Sequence, residues 1–94
     1  MLVVTVNFQV KTEHVDEFRT AVEKQARNSL ELEEGCHQFD VCYDIENDGY
    51  VFLYEIYSDE DAFEDHLDSE HFESFNEQTA PWVEEKLVGQ WVLA

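Results

Sequence analysis

Apolar and polar residues alternate over the first ten positions. Val4, Val6, Phe8 and Val10 fall on one side, and Val3, Thr5, Asn7 and Gln9 on the other. A period of two in a run rich in β-branched residues predicts a strand over 2–10. From Thr12 the period becomes helical: Val15, Phe18, Val22 and Ala26 recur at spacings of three and four, with Ala21, Ser29 and Leu30 beside them, as far as about Glu33. Gly35 follows, where a left-handed residue would close the helix. HQFDVCYDI (37–45) and YVFLYEIY (50–57) return to strand character, and the ENDG between them has the chemistry of a tight turn, so the pair forms a hairpin. Ser58 with Asp59, Glu60 and Asp61 is a helix start, a cap followed by acids that oppose the macrodipole. That helix runs to about Leu67. Ser69 caps a further helical piece ending between Trp82 and Glu85, and KLVGQWVLA (86–94) forms a last strand.

The order β-α-β-β-α-β predicts an α+β, ferredoxin-like fold, a single domain over 1–94 with a four-stranded antiparallel sheet and its helices on one face. The third strand adds a further expectation. Val51, Leu53 and Tyr57 point one way and Phe52, Tyr54 and Ile56 the other, so the strand is apolar on both sides. An antiparallel strand with one solvated face alternates apolar and polar. Helices cover only one face, so the other is expected to meet a second copy, giving a homodimer built as a dimeric α+β barrel.

Composition narrows the partners. Twenty-three acidic residues face five basic ones, for a formal net charge of -18. Nucleic-acid binding is excluded on this ground, because phosphates need Lys and Arg. The acids are spread among periodic apolar residues, which makes them a solvated surface rather than a disordered tail. Their mutual repulsion is relieved by screening, as suits a salty, halophile cytoplasm. No apolar run approaches membrane-spanning length, and the N-terminus begins as a strand without a basic leader, so a cytoplasmic location and no membrane contact are expected. Cys36 and Cys42 match no zinc spacing and are expected to be free thiols.

The stretch EDHLDSEHFESF (64–75) places two histidines five positions apart among carboxylates and aromatics. On one continuous helix such residues stand about 140° apart. Helical metal sites use spacings of three or four, and Ser69 breaks the helix between them. His66 and His71 are therefore expected to point in different directions, with no metal: His66 inward toward Glu55, His71 toward water. Glu55 interrupts an apolar strand face, where a carboxylate is costly unless it is paired or lines a wet pocket. His14 and His37 are expected at the surface. Asn28 sits near the end of the first helix, where a polar side chain also bonds locally.

ARNSLELEEGCHQFDV and FLYEIYSDEDAFEDHLDSEHFESF resemble the two signature stretches of the antibiotic biosynthesis monooxygenase family, and the likeness spans essentially the whole chain. The resemblance implies a ferredoxin-like dimer that oxidises quinols or aromatic polyketides with molecular oxygen, without metal or flavin. It places Asn28, Glu55 and His66 in the pocket, with Phe39, Tyr54, Tyr57, Phe72 and Phe75 shaping or supporting it. The haem-degrading relatives use a strand Asn, which Asn7 could match, but His66 stands where they carry Trp and no His stands near Asn76.

Three functions remain open. The first is a cofactor-independent monooxygenase of a small quinol-like or phenolic substrate. His66 would be its base, since imidazole titrates nearest neutral pH, Glu55 would orient it or hold its proton, and Asn28 would bond the oxyanion. The second is an isomerase or tautomerase of a small hydroxy-ketone, like the relative that processes phosphorylated autoinducer-2. The third is a non-enzymatic dimeric module that binds small molecules, or serves in a stress response.

Overall fold

The computed structural model describes residues 1–94. The chain runs β1 (Leu2–Val10), α1 (Val15–Leu32), β2 (Cys36–Tyr43), β3 (Tyr50–Tyr57), α2 (Glu60–Asp68), α3 (Glu70–Thr79) and β4 (Val83–Val92). Short 3-10 turns at Thr12–His14 and Ala80–Trp82 lead into α1 and β4. The strands form one antiparallel sheet in the order β2-β3-β1-β4, the ferredoxin-like arrangement.

The helical stripe of α1 is buried as its spacing requires, with Phe18 and Val22 fully enclosed. Against it lie the even-numbered residues of β1 and the odd-numbered residues of β2 and β3. Phe8, Phe18 and Phe75 meet at centroid distances of 5.0, 6.5 and 6.0 Å in edge-on and tilted contacts. Register then positions the polar exceptions. Glu55 lies opposite Val4 on one side and Phe39 on the other, and Lys86 lies opposite Phe8. All face the helices.

Several boundaries differ from the sequence-based expectation. The last strand begins at Val83, because Pro81 in the preceding turn stops the helical segment at Thr79. Gly35 is not left-handed, since no glycine has positive φ. It is glycine for want of space: a Cβ there would stand 2.6 Å from the Cβ of Ala62, where α2 crosses the start of β2. Gly49, in the hairpin, is crowded in the same way by the carbonyl of Val10 at 2.7 Å.

The sheet face away from the helices carries Phe52, Leu87 and Trp91, which are 36%, 60% and 59% exposed. On this face the Trp91 indole N–H donates to Thr5 Oγ1 at 2.9 Å. No helix is long and apolar enough to cross a membrane.

Candidate active site

Three helix ends meet behind the sheet. Glu33 caps the C-terminus of α1, His66 occupies the last turn of α2, and His71 the first turn of α3. The bend that joins the two histidines is made by Ser69, whose extended backbone ends α2. Its Oγ donates to the His66 carbonyl at 2.7 Å and accepts from Phe72 N–H at 3.2 Å. One hydroxyl thus closes one helix and caps the next. Because the chain turns there, the angular argument for a continuous helix fails. His66 and His71 do not diverge: both reach Glu33 Oε2, from His66 Nδ1 at 2.8 Å and His71 Nε2 at 2.5 Å. His71 is therefore largely buried, with a side chain 12% exposed, and not turned to water as expected.

Burial raises the Glu33 carboxyl, but the hydrogen bonds from His66 and His71 outweigh it and hold the group below its ordinary 4.5. An ionised carboxylate only accepts, so the two nitrogens facing it carry the protons. His66 in its neutral form then keeps its lone pair on Nε2, which has no hydrogen-bond partner in the protein.

The His66 ring lies among aromatics, with centroids 5.0 Å from Phe72, 5.3 Å from Tyr57 and 6.2 Å from Phe39. It borders a narrow cavity of about 40 Å³ between the sheet and the helices. Phe39, Phe63, Phe72 and Phe75 supply apolar wall, with Leu67 and Val88 also lining it. Four polar residues line it as well: Gln25, Glu55, His66 and Lys86.

Glu55 is 2% exposed and accepts a hydrogen bond from Tyr57 Oη at 2.5 Å. Burial pushes its carboxyl up to about 6, against the pull of that hydrogen bond and of His66. Burial and the adjacent Glu55 charge together raise the Tyr57 phenol, which stays a donor. Lys86 Nζ sits 5.6 Å from the ring centroids of both Phe8 and Phe72, within cation–π reach. Burial lowers its ammonium and Glu55 partly restores it. The Cys36 thiol is pushed up to about 12 by burial and then by the charges of Glu33 and Glu55, so it remains protonated.

A model of the antibiotic biosynthesis monooxygenase family matches residues 1–78. The chain belongs to this family. Solved structures agree on the fold. A provisionally assigned antibiotic biosynthesis monooxygenase from Nitrosomonas europaea superposes with a TM-score of 0.94 at 23% identity, covering 99% of this chain and 98% of that one. One of the same description from Bacteroides thetaiotaomicron gives 0.93 at 23% identity, over 98% and 88% of the two chains. A conserved protein from Methanosarcina mazei gives 0.90 at 26% identity, over 99% and 92%. No curated protein matches the chain significantly.

Within this antibiotic biosynthesis monooxygenase fold the expected site residues separate. His66, Glu55, Phe39, Phe72 and Phe75 line one cavity. Tyr57 lies behind it as the partner of Glu55. Tyr54 is on the opposite sheet face, paired across the strands with Thr5 and Asp40. Asn28 borders a separate surface depression that also includes Lys24, Glu70 and His71. Asn7 is exposed on the outer face of β1. No hydrogen bond joins Glu55 to His66, and it is Glu33 that bonds the imidazole. Glu33, Gln25 and Lys86 are the residues that sequence reasoning missed. The one signal for Glu33 was an acid at a helix C-terminus, against the macrodipole, and Glu31 and Glu34 carry the same signal.

Glu33, His66 and His71 also form the one set of potential metal ligands, with ligand atoms within 4.8 Å of one another. Around a tetrahedral zinc, bonds of about 2.0–2.1 Å set neighbouring ligand atoms about 3.3 Å apart. The contacts of 2.8 and 2.5 Å are hydrogen-bond lengths, and both would have to open to admit a cation.

Proposed function

We propose that this protein is a cofactor-independent monooxygenase of small electron-rich phenols or quinols, with His66 as general base and Glu33 as the group that orients it. The observation that carries the reading is the asymmetry of His66. Its Nδ1–H is held by a buried carboxylate, while Nε2 is unpartnered in a ring that borders an aromatic cavity. That is the arrangement by which a carboxylate sets the tautomer of a catalytic imidazole. Nε2 takes the proton of the substrate hydroxyl, and the resulting anion gives an electron to dioxygen. A quinol supplies all four electrons needed: one oxygen atom enters the ring, the other leaves as water, and a hydroxyquinone results. The aromatic wall excludes water from the anion. The exposed apolar face of the sheet supports a homodimer in which a second copy covers Phe52, Leu87 and Trp91.

Lys86 favours one rival reading, an isomerase of a small anionic hydroxy-ketone, which would use the same base. An oxygen electrode separates the two. With a panel of quinols and simple phenols, the oxygenase consumes oxygen, forming hydroxyquinone from a quinol and quinone from a phenol, and folded His66→Ala does so about 10²–10⁴-fold more slowly. No uptake with any member, or equal uptake by His66→Ala, overturns the proposal.

A further inference from the structure

Gln25 is the unexplained member of the cavity. It lies on the buried side of α1 beside Val22 and Ala26 and is only 3% exposed. Neither its Oε1 nor its Nε2 has a hydrogen-bond partner. Buried amides are almost always bonded, because leaving them unpaired costs stability. A leucine would fill the same space without that cost. Lys86, on β4, brings the only cation to the same cavity, and the ion pairs of the molecule do not include it.

The spacing of these groups is informative. Gln25 stands one helical turn before Ser29, about 6 Å along the axis, and Ser29 Oγ is 3.5 Å from His66 Nδ1. Gln25 and His66 border the cavity as separate polar groups, with no hydrogen bond between them.

We infer that Gln25 and Lys86 form a second polar subsite, which holds a substrate oxygen remote from the hydroxyl that His66 deprotonates. The ring this protein takes therefore carries two oxygens, as a quinol does, and not the single oxygen of a simple phenol. This rests on the cavity being the substrate site. A hydroxyl both donates and accepts, and so satisfies both ends of the Gln25 amide. The Lys86 ammonium favours the build-up of negative charge on that oxygen as electrons leave the ring. At about 40 Å³ the cavity is close to the size of a water or two. A ring enters only as wall side chains move, and Leu67 and Val88, 40% and 52% exposed, are the apolar wall residues that face solvent.

Anaerobic calorimetric titration of the full chain with hydroquinone and with phenol tests this apart from turnover. Hydroquinone is expected to bind at least about tenfold more tightly, because a site built to bond a hydroxyl rejects the analogue that lacks it. Gln25→Leu and Lys86→Met should each remove most of that preference and leave phenol affinity within about twofold. Gln25→Leu should also raise the melting temperature of the ligand-free protein, whereas a structural role for the amide would make the same substitution lower it. Should Gln25→Leu not fold, Lys86→Met on the exposed edge strand still decides the matter. Equal affinity for the two rings, binding of neither, or a preference that survives both substitutions overturns the subsite. Selective binding without oxygen uptake would count against the oxygenase reading alone.

Discussion

Two carboxylates, Glu33 and Glu55, border the same histidine and are driven in opposite directions. Glu55 sits in the sheet with one phenol as its partner, and burial raises it to about 6. Glu33 sits where three helices end, and two imidazole N–H groups overcome its burial. Depth alone does not set the charge of a buried acid; the number of donors aimed at it does. The helix-end region is thus built to keep a charge and to fix a proton on His66. The sheet region is built to tolerate an acid near the point of losing its charge.

The largest effect expected from this contrast is on turnover. His66→Ala should lower kcat by about 10²–10⁴-fold, the usual worth of general-base help. Glu33→Gln should come next, with a loss of about tenfold or more, because it frees the tautomer that the carboxylate fixes. Glu55→Gln should cost less than either. Steady-state oxygen uptake by folded variants ranks the three, and a larger loss at Glu55 than at Glu33 would reverse the assignment of roles.

Stability against pH sharpens the same comparison. Between pH 4.5 and about 6 the native state holds a proton on Glu55 that the unfolded chain has released, so this group's contribution falls as pH rises, by about 2 kcal/mol in all. Glu33 behaves oppositely: its contribution is present above 4.5 and is lost as pH falls through its lowered value. Thermal melts should then show Glu55→Gln more stable than the wild type above pH 6, with the gain gone by pH 4.5. Glu33→Gln should be less stable near neutrality. Raising salt from about 0.01 M to 1 M should lift every melting curve, because it screens the surface acids, while leaving these two differences nearly intact.

A smaller effect is expected at His71. It donates to Glu33 but does not line the cavity, so His71→Ala should change activity by no more than a few-fold. Titration with zinc asks whether the same three groups can open around a cation. The expected result is no rise in melting temperature; a rise of many degrees that is lost in His71→Ala would make the helix-end region a metal site.

Much of this architecture was legible in the chain. Strand and helix periods are set by backbone geometry and by which faces are buried, so β1, α1 and the β2-β3 hairpin could be read directly. His66, Glu55 and Phe39 could be read as well, because each stands at a position whose parity or spacing turns it toward the core. Parity also argued against Tyr54, which alternates with Glu55 along one strand. What was not legible depended on tertiary placement. Glu31, Glu33 and Glu34 are equivalent in sequence, and only the packing of α2 and α3 selects one of them. His71 was misplaced because the turn at Ser69 redirects α3 by an amount that no periodicity encodes. Gln25 lies within an apolar stripe, where a single amide draws no notice until its lack of partners is seen.

Ser69 bears on how such a site could be lost or arise. Without its hydroxyl, nothing in the side chains interrupts the run from Glu60 to Thr79, and α2 and α3 could join into one rod of about 30 Å. Along that rod the two imidazoles would be splayed by about 140°, and Glu33 could hold only one of them. Two shapes with the same histidines are thus to be compared, one convergent and one divergent, and the Ser69 hydroxyl is the side-chain contact that favours the first. Ser69→Ala therefore tests whether neighbouring sequences can move between them in one substitution, with the His66–His71 ring separation of 6.2 Å as the gauge.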